Sequence, residues 1–194
     1  PLPTGWPAYS GVIRDRSVVY FAGNASGADS PSEITAEARY GIAGLGWQLS
    51  NVPSNNSNLE HFEAATATAL KAARPGVKVM VTRDTQVIGI FWNSTRAALA
   101  SHPEYFLLDP KTGKPIVEPW GSPTKNTPKS WLNFTNPAAT AWWEEVFIGE
   151  ALAQYDGVYT DCACEDPPGI DAATLAAVRA AAQASVDRVA QRAA

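Results

Sequence analysis

Runs of β-branched and aromatic residues alternate along this chain with stretches whose apolar residues recur at helical spacing. Residues 17–23 (SVVYFAG) and 38–50 (ARYGIAGLGWQLS) read as buried strands, the second running into a Ser, Asn and Pro-rich loop. Between residues 59 and 74, Leu59, Phe62, Ala65, Ala69 and Ala73 share one helical face, and Pro75-Gly76 stops that helix before the apolar strand 77–82 (VKVMVT). Residues 93–106 predict a short helix, and DPKTGKP (109–115) a turn between two extended pieces, LLD and PIV, as in a hairpin. WLNFTN (131–136) reads as a strand end, and Pro137 opens a helix that runs to Gln154. DGVYTDC (156–162) is the next strand, EDPPG (165–169) a loop, and 171–194 a long Ala-rich helix by propensity.

About five strands are visible in this pattern. Their alternation with helices predicts an α/β fold with a parallel sheet and right-handed crossovers, either an open doubly wound sheet or a barrel. The 194 residues, 45% of them apolar, suit one globular domain over 1–194. A net charge of -4 without clustered Lys and Arg argues against a nucleic-acid partner, and no apolar run is long enough to span a bilayer. The expected partners therefore exclude nucleic acid and membrane. The chain opens on PLPTGWP with no basic or apolar leader, so the expectation is a processed or truncated start, any signal peptide being already removed or never included.

Compartment is read from Asn-x-Ser/Thr tripeptides at Asn24, Asn55, Asn93 and Asn133, which predict N-glycosylation and an extracellular location, although loops rich in Asn and Ser also generate such tripeptides by chance. Cys162 and Cys164, two residues apart, could form a small strained disulfide, stay as thiols or touch a metal; an oxidising compartment favours the disulfide. With His61 and His102 the only histidines, neither a structural zinc site nor a metal-dependent polysaccharide-deacetylase-like site is expected, and no cofactor is implied.

In either α/β architecture, chemistry sits at the carboxyl ends of strands. The residues there are Asn24, Trp47, Gln48, Arg83, Asp84, Asn133 and Asp161. Asp161 ends a strand as a carboxylate that hydrogen bonds could hold ionised for work as nucleophile or base; a loop-bracing role is the competing reading. Arg83 and Asp84 should point to opposite faces of their strand, one of them toward a substrate hydroxyl, unless each is held in a salt bridge. Glu165, with Asp166 beside it, could add a second carboxylate. Seven Trp is a high count, and Trp47 and Trp92, ahead of Trp120 and Trp131, are the expected platforms for stacking on sugar rings, while Trp142 and Trp143 read as helix packing.

Three strings together, SHPEYFLLDPKTGKPIV (101–117), WLNFTNPAATAWWEEVF (131–147) and YDGVYTDC (155–162), resemble glycoside-hydrolase-like barrel families, and the last two look similar to α-glucosidase and α-galactosidase barrels. The resemblance covers about residues 78–162. It implies a TIM-like (β/α) barrel acting on carbohydrate, with Asp161 matching the strand-end nucleophile. It also implies an acid/base carboxyl on a later strand, whereas the chain ends one helix after Asp161, and a full barrel takes about 250 residues. The expectation is thus an incomplete barrel, part of a longer chain or assembly. The alternative function is a catalytically silent, glycosylated barrel whose open strand edges pair with other copies of itself in an extracellular scaffold.

Overall fold

The computed structural model describes residues 18–22, 27–46, 59–119, 128–161 and 166–192. Asn24, Trp47, Gln48, Asn55, Trp120, Cys162, Cys164 and Glu165 lie outside the described residues, and with them the disulfide expected of the cysteine pair. In chain order the strands are β1 (Val18–Ala22), β2 (Ile42–Leu45), β3 (Lys78–Asp84), β4 (Val87–Gly89), β5 (Val117–Pro119), β6 (Pro128–Trp131) and β7 (Gly157–Asp161). The helices are α1 (Pro31–Glu37), α2 (Leu59–Ala73), α3 (Asn93–Ser101), α4 (Pro137–Trp142), α5 (Gly149–Gln154) and α6 (Ala172–Arg192). The chain divides into two compact bodies, one of residues up to Arg83 plus Ala151–Tyr159, the other of Asp84–Glu150 plus the residues from Thr160 on.

The first body is built on a sheet of order β1-β2-β3-β7, in which β1, β2 and β3 are parallel, with Ile42 opposite Lys78 and Leu45 opposite Val81. β7 runs the same way as β3, because Asp156 N–H donates to Val79 O at one end and Thr85 N–H donates to Asp161 O at the other, both at 2.9 Å. The expected α/β alternation with parallel strands is therefore present. The described strands form an open sheet and do not close a barrel. Among the described residues β7 lies at the edge of the sheet, and its residues are half-buried or exposed. Only 42–45 of the expected strand 38–50 is extended among the described residues.

Helix α1 follows a capping box: Ser30 Oγ accepts from Glu33 N–H at 3.4 Å and Glu33 Oε2 accepts from Ser30 N–H at 2.7 Å, with Pro31 starting the first turn. In α2 the buried face is Leu59, Glu63, Thr66, Ala67 and Leu70, rotated from the face the alanine spacing predicted. The cause is Glu63, whose fully buried carboxylate receives Arg83: NH1 to Oε1 and NH2 to Oε2, both at 2.9 Å. A buried, bidentate pair of this kind is tolerated only because each charge satisfies the other.

Asp156, on the approach to β7, ties three elements together. Its Oδ2 accepts from Val79 N–H at 3.0 Å, its Oδ1 from Lys78 Nζ at 3.1 Å, and Lys71 Nζ of α2 lies 3.0 Å from Oδ2. Burial would raise its pKa, but the Val79 N–H and the two lysines outweigh it and hold the carboxyl below the ordinary aspartate value.

The second body carries a sheet of order β4-β6-β5, antiparallel, with Val87 opposite Trp131 and Val117 opposite Ser130. The expected hairpin is its extension: Leu108 bridges Pro115, and the turn closes through Gly113 at φ +66°, with Asp109 Oδ1 accepting from Lys111 N–H at 2.7 Å. Its core gathers Trp92, Phe106, Leu132, Trp143, Phe147 and Ile148, all fully buried or nearly so. The expected single helix 137–154 is interrupted. After α4, capped by Asn136, one π-helical turn runs over Trp143–Phe147, and Ile148 N–H donates to Trp143 O at 2.9 Å.

The clamp at Asp156 generates a prediction. A carboxyl held below its unfolded pKa contributes stability above that pKa and loses it as pH falls through the folded value. Urea unfolding of the protein should show stability declining below about pH 4, and D156N should flatten that limb while costing about 1–3 kcal/mol at neutral pH. An unchanged acid limb in D156N would remove Asp156 from this role.

Candidate functional site

β3 and β7 are neighbours, and each ends in an aspartate, Asp84 and Asp161. The strand ends are stitched by Thr85, whose N–H and Oγ1 both donate to Asp161 O at 2.9 Å. One carbonyl thus has both its lone pairs used, which fixes the backbone from which the Asp161 side chain springs.

The two carboxylates differ in what surrounds them. Asp84 is 2% exposed. Its Oδ2 accepts from Gly89 N–H at 3.0 Å and its carbonyl accepts from Trp143 Nε1 at 3.0 Å, so one residue anchors both β4 and the π-helical turn. A Cβ at Gly89 would lie 2.2 Å from the buried Phe91 ring, so any larger residue there requires that ring to move. Asp161 is half-buried, and among the described residues no N–H or O–H donates to its carboxylate. Among the described residues Asp161 is thus the strand-end aspartate whose carboxylate receives no donor, while the Asp84 carboxylate is bound to Gly89.

The π-helical turn begins at Trp143, the residue whose indole reaches the Asp84 carbonyl, and widening the turn shifts the side chains that follow it. It brings the Glu144 carbonyl so close to residue 149 that a Cβ there would sit 3.0 Å from the oxygen, and the sequence places Gly149 at that point. Glu144, 8% exposed, meets α6 on the other side: Arg188 Nε donates to its Oε1 at 2.9 Å and Arg192 NH2 to its Oε2 at 3.1 Å. α6 itself starts on Asp171, whose Oδ1 accepts from Thr174 N–H at 2.9 Å.

Three expectations are corrected here. Arg83 does not face a substrate, because its guanidinium is committed to Glu63 and to Thr82 O. Trp92 is no stacking platform: it has 0% exposure and packs against Phe91 and, edge-on, against Phe147 at 5.2 Å between centroids. Asp84 is likewise buried in a bracing role instead of reaching a sugar hydroxyl. Trp131 is buried under Lys129, whose Nζ lies 5.3 Å from its ring centre. Among the described tryptophans the half-exposed one is Trp142, beside Tyr105 and stacked on Phe147. The WW pair offered that signal, since neighbouring residues on a helix cannot both face the core. Asn93 is exposed at the start of α3, and Asn133 is half-buried with its Oδ1 accepting from Thr135 Oγ1 at 2.6 Å. Thr85 and Gly89 were not singled out by the sequence, and nothing short of the strand pairing marks them.

Among the described residues no group of three or more His, Cys, Asp and Glu side chains converges as a metal site, and no helix is long and apolar enough to cross a membrane. No family model matches the chain, and no curated protein matches it. Among solved structures it is similar to a Flavobacterium johnsoniae GH31 dextranase complexed with glucose, at 19% identity and TM-score 0.48, covering 78% of this chain and 19% of that one. It is also similar to a noncanonic maltogenic alpha-amylase from Thermotoga neapolitana, at 12% identity and TM-score 0.48, covering 89% of this chain and 43% of that one. A third is the glucosidase II alpha subunit, at 16% identity and TM-score 0.42, covering 72% and 15%. These are distant likenesses to glycoside hydrolases, and the chain spans less than half the length of each.

The geometry at Gly149 is open to direct test. In an ordinary helix interior Gly→Ala stabilises by about 1 kcal/mol. Here G149A should instead destabilise by about that amount, read by urea denaturation, because the new methyl meets a backbone oxygen that holds the turn. A stabilised G149A would mean that the turn is not maintained in solution.

Proposed function

We propose that the chain is a carbohydrate-active protein of the glycoside-hydrolase-like kind, with Asp161 as the group that meets the sugar. The observation that carries this reading is the contrast at the two strand ends: Asp84 is buried and spent on Gly89, whereas Asp161 is half-buried, receives no donor on its carboxylate among the described residues, and sits on a backbone pinned by Thr85. A carboxylate fixed in this way can attack an anomeric carbon or stabilise the positive charge that develops there. Retaining hydrolysis needs a second carboxyl about 5 Å away to protonate the leaving oxygen and then activate water. In this reading that acid/base comes from a strand beyond β7, whose edge is open in the described sheet. The resemblance of YDGVYTDC to the strand-end aspartate of related barrels supports the same role.

A second reading is favoured by a specific observation. The carboxylate on the neighbouring strand end, Asp84, is braced in place and supplies no acid/base function. In that reading the protein binds sugar or serves as a structural subunit without turning substrate over. Both readings include secretion with N-linked glycans, supported by the exposed position of Asn93.

The experiment is hydrolysis of aryl α-glucosides and α-galactosides by the protein and by D161N, with sugar binding followed by calorimetry. The catalytic reading expects turnover that falls on the order of 10³-fold in D161N while binding persists. Binding without turnover in both proteins supports the silent reading, and neither binding nor turnover overturns the carbohydrate assignment.

A further inference from the structure

The second body carries a run of aromatic rings in which the strand-end aspartates have no part. The His102 and Tyr105 rings are stacked, their planes 9° apart and their centroids 4.6 Å apart, and Tyr105 flanks Trp142 at 6.4 Å and 39°. Trp142 in turn stacks on the buried Phe147 at 5.5 Å and 20°. Tyr105 and Trp142 are half-buried and His102 is exposed, so the rings step outward from the core to solvent. They are supplied by the cap of α3, the 3-10 turn Pro103–Tyr105 and the last residue of α4.

The rings are held before any ligand arrives. Asn136, which caps α4, donates Nδ2 to Glu104 O at 3.0 Å, and Asn133 N–H donates to Tyr105 O at 2.8 Å, so the turn that carries Tyr105 is tied to the helix that carries Trp142. Aromatic side chains fixed in this way lose little freedom on binding. Their polar tips are unspent. Among the described residues no hydrogen bond engages the Tyr105 hydroxyl or the Trp142 indole N–H, and His102 uses Nδ1 alone, 3.1 Å from Glu104 Oε1.

Those tips decide what kind of molecule suits the strip. An apolar surface laid over the rings would take the three tips out of water without replacing their hydrogen bonds, which is costly. A ligand that combines apolar C–H faces with many hydroxyls meets rings and tips together. Charge narrows the class further. Between Arg96 and Lys111, and from Trp131 through Phe147, the chain has no Lys or Arg, so a polyanion finds no counter-charge in the segments that carry the rings.

We infer that His102, Tyr105 and Trp142 form a surface binding site for a neutral oligosaccharide, the rings stacking on sugar C–H faces and the tips meeting sugar hydroxyls. The inference rests on the carbohydrate reading above and not on Asp161.

The test titrates the protein with maltohexaose, cellohexaose and chitohexaose while following the tryptophan indole N–H resonances, among which the Trp142 signal is identified by its loss in W142F. One or more of these sugars should shift the Trp142 signal, in wild type and equally in D161N. Y105F, which keeps the ring and removes its hydroxyl, and H102A, which removes the outermost ring, should each raise the Kd read from that signal about three- to tenfold. Neither variant should change aryl-glycoside turnover where the wild type has any. H102A alters an exposed side chain, so it decides the matter if Y105F fails to fold. A Trp142 signal that none of these sugars moves, or a Kd the same in wild type, Y105F and H102A, overturns the site, and turnover lost in D161N would then still uphold the strand-end reading. A Trp142 shift without any turnover upholds the surface site and favours the silent reading of Asp161.

Discussion

The fold depends on burying two opposite charges at the end of one strand. Arg83 and Asp84 are 4% and 2% exposed, and removing charges from water costs several kcal/mol each unless every one finds a partner. Strand alternation sends their side chains apart, so they cannot neutralise each other. Arg83 takes Glu63 and thereby dictates which face of α2 is buried. Asp84 takes the Gly89 amide, and its carbonyl takes the Trp143 indole. Each compact body thus has a charged or polar anchor rooted in the same two consecutive residues.

That arrangement decides which parts of the fold could be read from sequence. Apolar runs with clear stops, such as VKVMVT before Arg83 and the stretch ended by Pro75-Gly76, translate directly into β3 and α2, because periodicity reports burial wherever burial is apolar. Where burial is polar the signal inverts. Glu63 and Thr66 sit at the centre of the α2 interface, and a hydrophobic pattern places them on the solvent side. Helix α1 was not among the expected elements; the capping box of Ser30 and Glu33 was a signal that could have found it, but its apolar content is thin. β4 and β5 span three residues each, too short for period-two alternation to register. The π-helical turn had no compositional mark except Gly149, whose necessity emerges only once the Glu144 carbonyl is placed.

The candidate site follows the same division. Position at a strand end was enough to select Asp161, Asp84 and Arg83 as charged groups where chemistry collects. It could not rank them, because ranking depends on which carboxylate has been spent on structure, and the spending partners are a backbone amide and a helix residue distant in sequence. A tryptophan count carries the same ambiguity: Trp92 and Trp131 fill the core, while Trp142 keeps part of its ring in water.

What remains at the strand ends is a consequence of that spending. A carboxylate that has exchanged water for fixed donors is rigid and inert toward a ligand, since any new bond must first break an old one. A carboxylate that is left undonated on an immobilised backbone gains more from a ligand's hydroxyl or developing positive charge, because orientation is already provided and no protein bond is lost. Thr85 supplies the immobilisation by using both lone pairs of the Asp161 carbonyl, and Asp84 secures the neighbouring segments on which Thr85 depends. Among the described residues Asp161 is the strand-end acid on which no donor is spent, and the proposed role rests on that contrast with Asp84.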